Sequence, residues 1–322
     1  MTAPGREERV LSAVGARREQ VNAAFEDYLP IEDPRRLYEA ARYLLDAGGK
    51  RLRPTVLLLV AEALLDVEPL STDYQSFPTL FEDSPDAVDI LAAAVSVEII
   101  QSFTLIHDDI MDDDDLRRGV PAVHQAYDLE TAILAGDTLY SKAFEIMLET
   151  GSRPARSQRA LAMLAETCTE ICEGQALDVE FEGRGDVETD AYLDMVERKT
   201  ASLYAASAAL PTLLLGADRE TTDALVRYGL AIGRAFQIHD DVLDLTVPSE
   251  TLGKRRGSDL VEGKRTLITL HARDQGVDVD GLVPDGSVED VTEADIEAAV
   301  SRLEAAGSID FASEMAHDLA EQ

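Results

Sequence analysis

The sequence predicts an all-α protein with many helices around one core. Apolar residues recur at three- and four-residue spacing through nearly the whole chain. Strand-like alternation between turn signals is scarce. No linker divides the 322 residues, 45% of them hydrophobic, into independent pieces. The expectation is one domain over residues 1–322, with exposed loops at residues 68–86 and 274–290.

The elements follow in order. "YEAARYLLDAGG" places Tyr38, Ala41, Leu44 and Leu45 on one stripe and ends at Gly48-Gly49, a helix stop. "RPTVLLLVAEALL" has Pro54 near a helix start. "DAVDILAAAVSVEIIQSFTLIHDD" is long and very apolar, as a central buried helix should be. Helical spacing continues through "TAILAGDTLYSKAFEIML", "ARSQRALAMLAETCTEICEGQALDVEFE" and "TDAYLDMVERKTASLYAASAALPTLLL". It returns in "TDALVRYGLAIGRAFQIHDDVLDL". The loops "EPLSTDYQSFPTLFEDSPD" and "DQGVDVDGLVPDGSVED" carry the prolines, glycines and acids of irregular surface segments.

Charge narrows the function classes. Sixty-three acidic against 29 basic residues give a formal net charge of -34. Such a chain repels nucleic acid and anionic membranes unless its cations cluster. Only five lysines are present: Lys50, Lys142, Lys199, Lys254 and Lys264. This composition suggests a surface adapted to high salt, so most acids are read as solvated. Cys168 and Cys172 point to a reducing compartment. Their four-residue spacing puts them on one helix face, where buried core is favoured over metal. No secretory leader and no apolar run of membrane-spanning length are visible, so a cytoplasmic, soluble protein is expected.

The most informative pattern occurs twice: "IHDDIMD" at residues 106–112 and "IHDDVLD" at residues 238–244. On a helix, Asp108 and Asp112 face the same way, as do Asp240 and Asp244. Ionised carboxylates so placed repel each other, and a divalent cation such as Mg²⁺ relieves this. With aspartate so abundant, a DDxxD triplet is weak alone. Context strengthens it. Each copy ends an apolar helix, and each is followed by cations, Arg117-Arg118 and Lys254-Arg255-Arg256. Carboxylates, metal and basic side chains together suit a polyanion such as diphosphate. Four of the five lysines fall in such polar clusters. His107 and His239 flank the motifs, but a neighbouring helical residue points about 100° away. Packing is therefore preferred to ligation for both.

Taken together, "GGKRLRP", "LIHDDIMDDDDLRRG", "GQALD", "KTASLY", "FQIHDDVLD" and "GSDLVEGKRTL" resemble, in order, the motifs of trans-isoprenyl diphosphate synthases. That family includes the farnesyl and geranylgeranyl diphosphate synthases. The resemblance spans roughly residues 35–320, and the acidic composition resembles a haloarchaeal member. It implies a helical bundle of isoprenoid synthase type around a central cavity, a homodimer, and about three Mg²⁺ per site.

The resemblance also implies roles. Asp108, Asp109 and Asp112 would hold two Mg²⁺ on the allylic diphosphate, and Asp240, Asp241 and Asp244 a third through Asp240. Arg117, Lys199, Thr200, Gln237 and Lys254 match allylic-site positions, with Lys264 a weaker match. Lys50, Arg53, Gln101 and Arg118 would hold isopentenyl diphosphate. The two aspartate motifs would face each other across one cavity. The implied reaction is head-to-tail prenyl transfer, with Lys199 (through its carbonyl), Thr200 and Gln237 near the allylic cation. The apolar helix at residues 90–107 would exclude water.

Product length is read from the helix before the first motif. Phe103 lies five residues before Asp108, about 7.5 Å along the axis, and Thr104 is small. That combination resembles the archaeal geranylgeranyl type and implies a C20 product, with C15 as intermediate or co-product. Ordinary core packing is the other reading of Phe103. Many family members continue past a segment like "IDFASEMAHDLAEQ", whereas this sequence stops at Gln322.

Three other readings fit less well. A class I terpene cyclase does not need "GGKRLRP" and a second DDxxD. A non-catalytic partner subunit is expected to lose the aspartates or Arg117-Arg118, which are all present. A simple acidic cation binder leaves the lysine clusters unexplained.

Overall fold

The computed structural model describes residues 5–80, 87–181, 184–249, 256–284 and 291–322. The order is α1 (Arg6–Tyr28), α2 (Arg35–Asp46), α3 (Leu52–Leu64), α4 (Ile90–Met111), α5 (Val123–Ala126), α6 (Leu129–Leu148) and α7 (Pro154–Phe181). There follow α8 (Thr189–Val196), a π-helical turn (Glu197–Ala201), α9 (Ser202–Leu215) and α10 (Arg219–Thr246). The last are α11 (Ser258–Val261), α12 (Leu267–Asp274), α13 (Glu293–Ala305) and α14 (Ser308–Glu321). Among the described residues, strand structure is limited to the pair β1 (Leu116–Arg117) and β2 (Val120–Pro121) and an isolated bridge between Phe77 and Val88. The all-α expectation is met.

These residues form two compact units. One takes the described residues up to Glu166 together with Ala206–Val226, and the other takes Thr167–Ala205 with Arg227–Gln322.

In the first unit, α4 packs on α1, α3 and α6. Its stretch from Ile90 to Ile100 is buried throughout, as the uniformly apolar sequence requires. Asp89 starts the helix by accepting from the Ala92 N–H at 2.8 Å, and its other oxygen accepts from the Tyr28 hydroxyl. α4 is long and apolar enough to cross a membrane, yet 78% of its most apolar window is buried inside the protein.

Residues 68–86 differ from an exposed loop. Tyr74 and Phe77 stack at 6.0 Å and are buried, while residues 81–86 lie outside the described residues. Tyr74 donates to Glu62 at 2.5 Å, and Glu62 also pairs with the buried Arg17. Two aromatics and a buried carboxylate outweigh the polar composition around them.

In the second unit, α12 packs on α8, α13 and α14 around Tyr192, Ile238, Leu267, Ile296 and Leu303. Leu282, inside the second expected loop, joins that core; residues 285–290 lie outside the described residues.

The cysteines do not share a buried face. Cys168 is buried and Cys172 exposed. The buried stripe of α7 runs through Leu164, Cys168, Ile171 and Gln175, so Ile171 takes the inward place after Cys168. Burial pushes the Cys168 thiol up to about 12. Iodoacetamide should therefore alkylate native Cys172 at least about tenfold faster than Cys168, because the thiolate is the nucleophile. Peptide mass mapping reads the two rates, which should converge in urea.

Candidate functional site

The first unit carries the first aspartate motif at the end of α4. Asp112 caps the helix, its N–H bonding to the Asp108 carbonyl at 2.8 Å. The four-residue spacing therefore keeps helical geometry. Asp108 and Asp112 are half-buried, whereas Asp109 is fully buried. Arg117 Nε donates to Asp109 Oδ1 at 2.6 Å and its Nη2 to Asp114 at 2.8 Å. Burial still outweighs Arg117 and pushes the Asp109 carboxyl up to about 6. Asp109 Oδ2 is buried and has no hydrogen-bond partner. A buried carboxylate oxygen of this kind suits a hard cation, which would restore its charge.

Arg117 and Arg118 lie at a two-residue hairpin turn between β1 and β2. Arg118 and Gly119 both have positive φ, at 55° and 79°, the form whose twist suits a tight hairpin. Arg118 reaches to the end of α2, where its Nη1 donates to the carbonyls of Leu44 (2.8 Å) and Gly48. Gly49, at φ +145°, packs beneath it; a Cβ there would lie 3.0 Å from the Arg118 guanidinium carbon. Lys50 is exposed beside this turn, and Arg53 is half-buried in the first turn of α3. Gln101 is half-buried on α4.

Phe103 is buried under the same helix end. Its ring meets His107 at 5.0 Å and Tyr140 at 5.3 Å, both edge-on, and Tyr140 continues to Phe144 at 5.1 Å. Thr104 turns its hydroxyl to the Gln101 carbonyl at 2.8 Å. His107 lies over Gly136, where a Cβ would fall 2.2 Å from Nε2. His107 is thus a packing residue. His239, in contrast, is exposed rather than packed, because the inward place on α10 goes to its neighbour Ile238.

The second unit carries the second motif on α10. Thr200 Oγ1 donates to Gln237 Oε1 at 2.7 Å, and Gln237 Nε2 donates to Asp241 Oδ1 at 2.9 Å. Tyr192 donates to Asp241 Oδ2 at 2.6 Å. Burial pushes the Asp241 carboxyl up, helped by nearby Asp259. Asp244, also buried, accepts from Ser258 at 2.9 Å and so fixes the start of α11. Asp240 alone of the three is exposed. Three predicted residues, Thr200, Gln237 and Asp241, are therefore joined in one hydrogen-bonded row.

Lys199 lies in the π-helical turn, where the Ser202 N–H reaches back five residues to the Glu197 carbonyl. Its ammonium pairs with Asp178 at 2.6 Å. Lys264 pairs with Glu262 at 2.8 Å. Lys254 lies outside the described residues.

Sequence reasoning missed Asp178, Tyr192, Arg51 and Glu98. Asp178 is the last residue of "GQALD" and Arg51 stands inside "GGKRLRP", so the motifs themselves contain both. Glu98 interrupts a long apolar helix, which is itself a signal.

Among the described residues, no three acidic, histidine or cysteine side chains converge on one metal position. Gly174 on α7 is tightly constrained: a Cβ would lie 2.3 Å from the Lys199 nitrogen and 2.7 Å from its Cα. Backbone cannot yield cheaply, so Gly174→Ala should cost about 1–3 kcal/mol in a urea melt.

With this geometry in place, comparison with known proteins is direct. The polyprenyl synthetase family model matches residues 34–300. A geranylfarnesyl diphosphate synthase from Natronomonas pharaonis is 70% identical over 97% of this chain and 89% of its own length. A geranylgeranyl diphosphate synthase from Methanosarcina mazei is 50% identical over 93% of this chain and 86% of its own. The solved geranylgeranyl pyrophosphate synthetase from the archaeon Geoglobus acetivorans superposes with a TM-score of 0.82 at 41% identity, covering 96% of this chain and 90% of that one. Motif order, helical architecture and these likenesses agree: the chain belongs to the polyprenyl synthetase family and is a prenyltransferase.

Proposed function

We propose that the enzyme condenses isopentenyl diphosphate with allylic diphosphates and stops at geranylgeranyl diphosphate, C20, with farnesyl diphosphate as intermediate or co-product. The observation that carries the length is the aromatic row Phe103, Tyr140 and Phe144 beneath the first aspartate motif. A tail growing along α4 from Asp108 meets Phe103 after about 7.5 Å of helix axis. A second reading, C25, is favoured by the 70% identical relative, which is named a geranylfarnesyl diphosphate synthase.

In this reading both aspartate motifs would serve the allylic diphosphate through Mg²⁺. Asp108, Asp109 and Asp112 would contact two Mg²⁺ and Asp240 a third, with Asp241 and Asp244 holding the second motif in place. The ions would supply positive charge to the leaving diphosphate. Arg117, Lys199 and Lys254 add to that charge, with Lys264 a weaker contributor. The allylic C–O bond breaks, and its electron pair leaves with the diphosphate. The isopentenyl double bond attacks the cation to form the new C–C bond, and a proton passes to the departing diphosphate. The Lys199 carbonyl, Thr200 and Gln237 direct their negative dipole ends to the cation. Lys50, Arg53, Gln101 and Arg118 hold isopentenyl diphosphate. The apolar body of α4 keeps water from the cation.

A homodimer is also proposed. Its support is the family resemblance together with Ile133, Leu134 and Tyr140 on α6, which are 41%, 56% and 38% exposed with Asp137 and Ser141 between them. Light scattering should return about twice the chain mass, and Leu134→Glu should shift it toward the monomer.

Product analysis tests the reading. In molar KCl with Mg²⁺, C5, C10 and C15 primers with labelled isopentenyl diphosphate should each yield C20. Chelation of Mg²⁺ should abolish elongation from every primer. Phe103→Ala should move the product past C20. A C25 product from the unaltered enzyme would instead favour the second reading.

A further inference from the structure

The deep stretch of α4 contains one charged side chain. Glu98 is 3% exposed, between Val97 and Ile99, which are both fully buried. Its Oε1 accepts from Arg51 Nη1 at 2.6 Å and from Arg118 Nη2 at 3.3 Å. Those two arginines belong to the two segments thought to bind isopentenyl diphosphate, and both have left-handed backbones, at φ 51° and 55°.

The remaining contacts of both arginines are with the protein itself. Arg51 is 2% exposed, donates to Asn22 Oδ1 at 2.9 Å and to the Leu45 carbonyl, and lies over the Phe25 ring at 5.1 Å. Arg118 clamps the carbonyls of Leu44 and Gly48. Arg51 thus anchors the start of α3 and Arg118 the preceding turn, with exposed Lys50 between them. Burial and the neighbouring Arg51 lower the Arg118 basicity, and Glu98 opposes this.

We infer that Glu98 is a positioning residue for isopentenyl diphosphate: its one buried carboxylate locks Arg51 and Arg118, and so fixes the turn that presents Lys50, Arg53 and Arg118. This rests on the proposed assignment of those three residues. Without the carboxylate, two guanidinium groups are left facing each other in a dry site. Arg118 then leaves the turn, and the cations lose their common aim.

Glu98→Gln keeps the shape and removes the charge. Its KM for isopentenyl diphosphate should rise about tenfold or more, with the allylic KM and kcat within about threefold. Asn22→Ala, at an exposed position, loosens Arg51 from the other side and should raise the same KM about two- to fivefold. Lys50→Ala and Arg53→Ala serve as references. If the references raise this KM but neither Glu98→Gln nor Asn22→Ala does, the inference is wrong and the binding assignment stands. It is equally overturned if both substrates' KM values rise together, as a merely structural defect would produce. If Glu98→Gln does not fold, Asn22→Ala decides. If the references leave the KM unchanged, the binding assignment falls and the positioning role falls with it.

Discussion

A carboxylate buried on a helix must find a partner, and that constraint organises the functional parts of this protein. Glu98 holds Arg51 and Arg118. Asp109 holds Arg117, Glu62 holds Arg17, and Asp178 holds Lys199. The Glu62–Arg17 pair joins α3 to α1, and each of the others ties a loop or turn to a helix that hydrophobic packing has already placed. Removing one partner of such a pair leaves an uncompensated charge, at a typical cost of about 3–5 kcal/mol. The pairs therefore act as fasteners whose geometry is set by the core. The core's own stability comes from residues such as Ile99, Ile100 and Phe103, each worth roughly 1.5–3 kcal/mol when buried.

The helices could be read from the sequence because helical periodicity is a local property. The stretches read as helical coincide with the bodies of α2, α4, α6, α7 and α10, and α2 ends just before Gly48-Gly49 as expected, while the starts of α4 and α6 at Asp89 and Asp128 were not read. The aspartates, Lys199, Thr200 and Gln237 were readable because they stand in fixed, ordered motifs. What escaped was partnership. Nothing in "EPLSTDYQSF" shows that Tyr74 will meet Glu62, twelve residues earlier in the chain. Nothing near Glu98 announces Arg51, 47 residues away. Ion pairs across a fold are set by tertiary register. Cys172 and His239 depart from expectation for a smaller reason: a buried stripe drifts between three- and four-residue steps, and the neighbour took the inward place.

The second aspartate motif is built differently from the first. Asp109 meets a guanidinium, while Asp241 meets a phenol and an amide. The first arrangement neutralises a full charge, and the second only solvates one. Burial of Asp241 is thus compensated by dipoles alone, and burial with nearby Asp259 holds its carboxyl above the usual range. The π-helical turn completes the second arrangement, since it sets Thr200 opposite Gln237 while Lys199 faces Asp178.

Concentrated electrolyte would act differently on the surface charges and on the buried pairs. At 1 M ionic strength the Debye length is about 3 Å, so charges on the solvated surface scarcely sense one another. The mutual repulsion of a chain carrying -34 is thereby quenched. Glu98 and Arg51, 2.6 Å apart and almost wholly dehydrated, admit no ions between them. Electrolyte thus relaxes the exterior while the internal fasteners keep their full strength, and surface charge can change over generations without retuning the site.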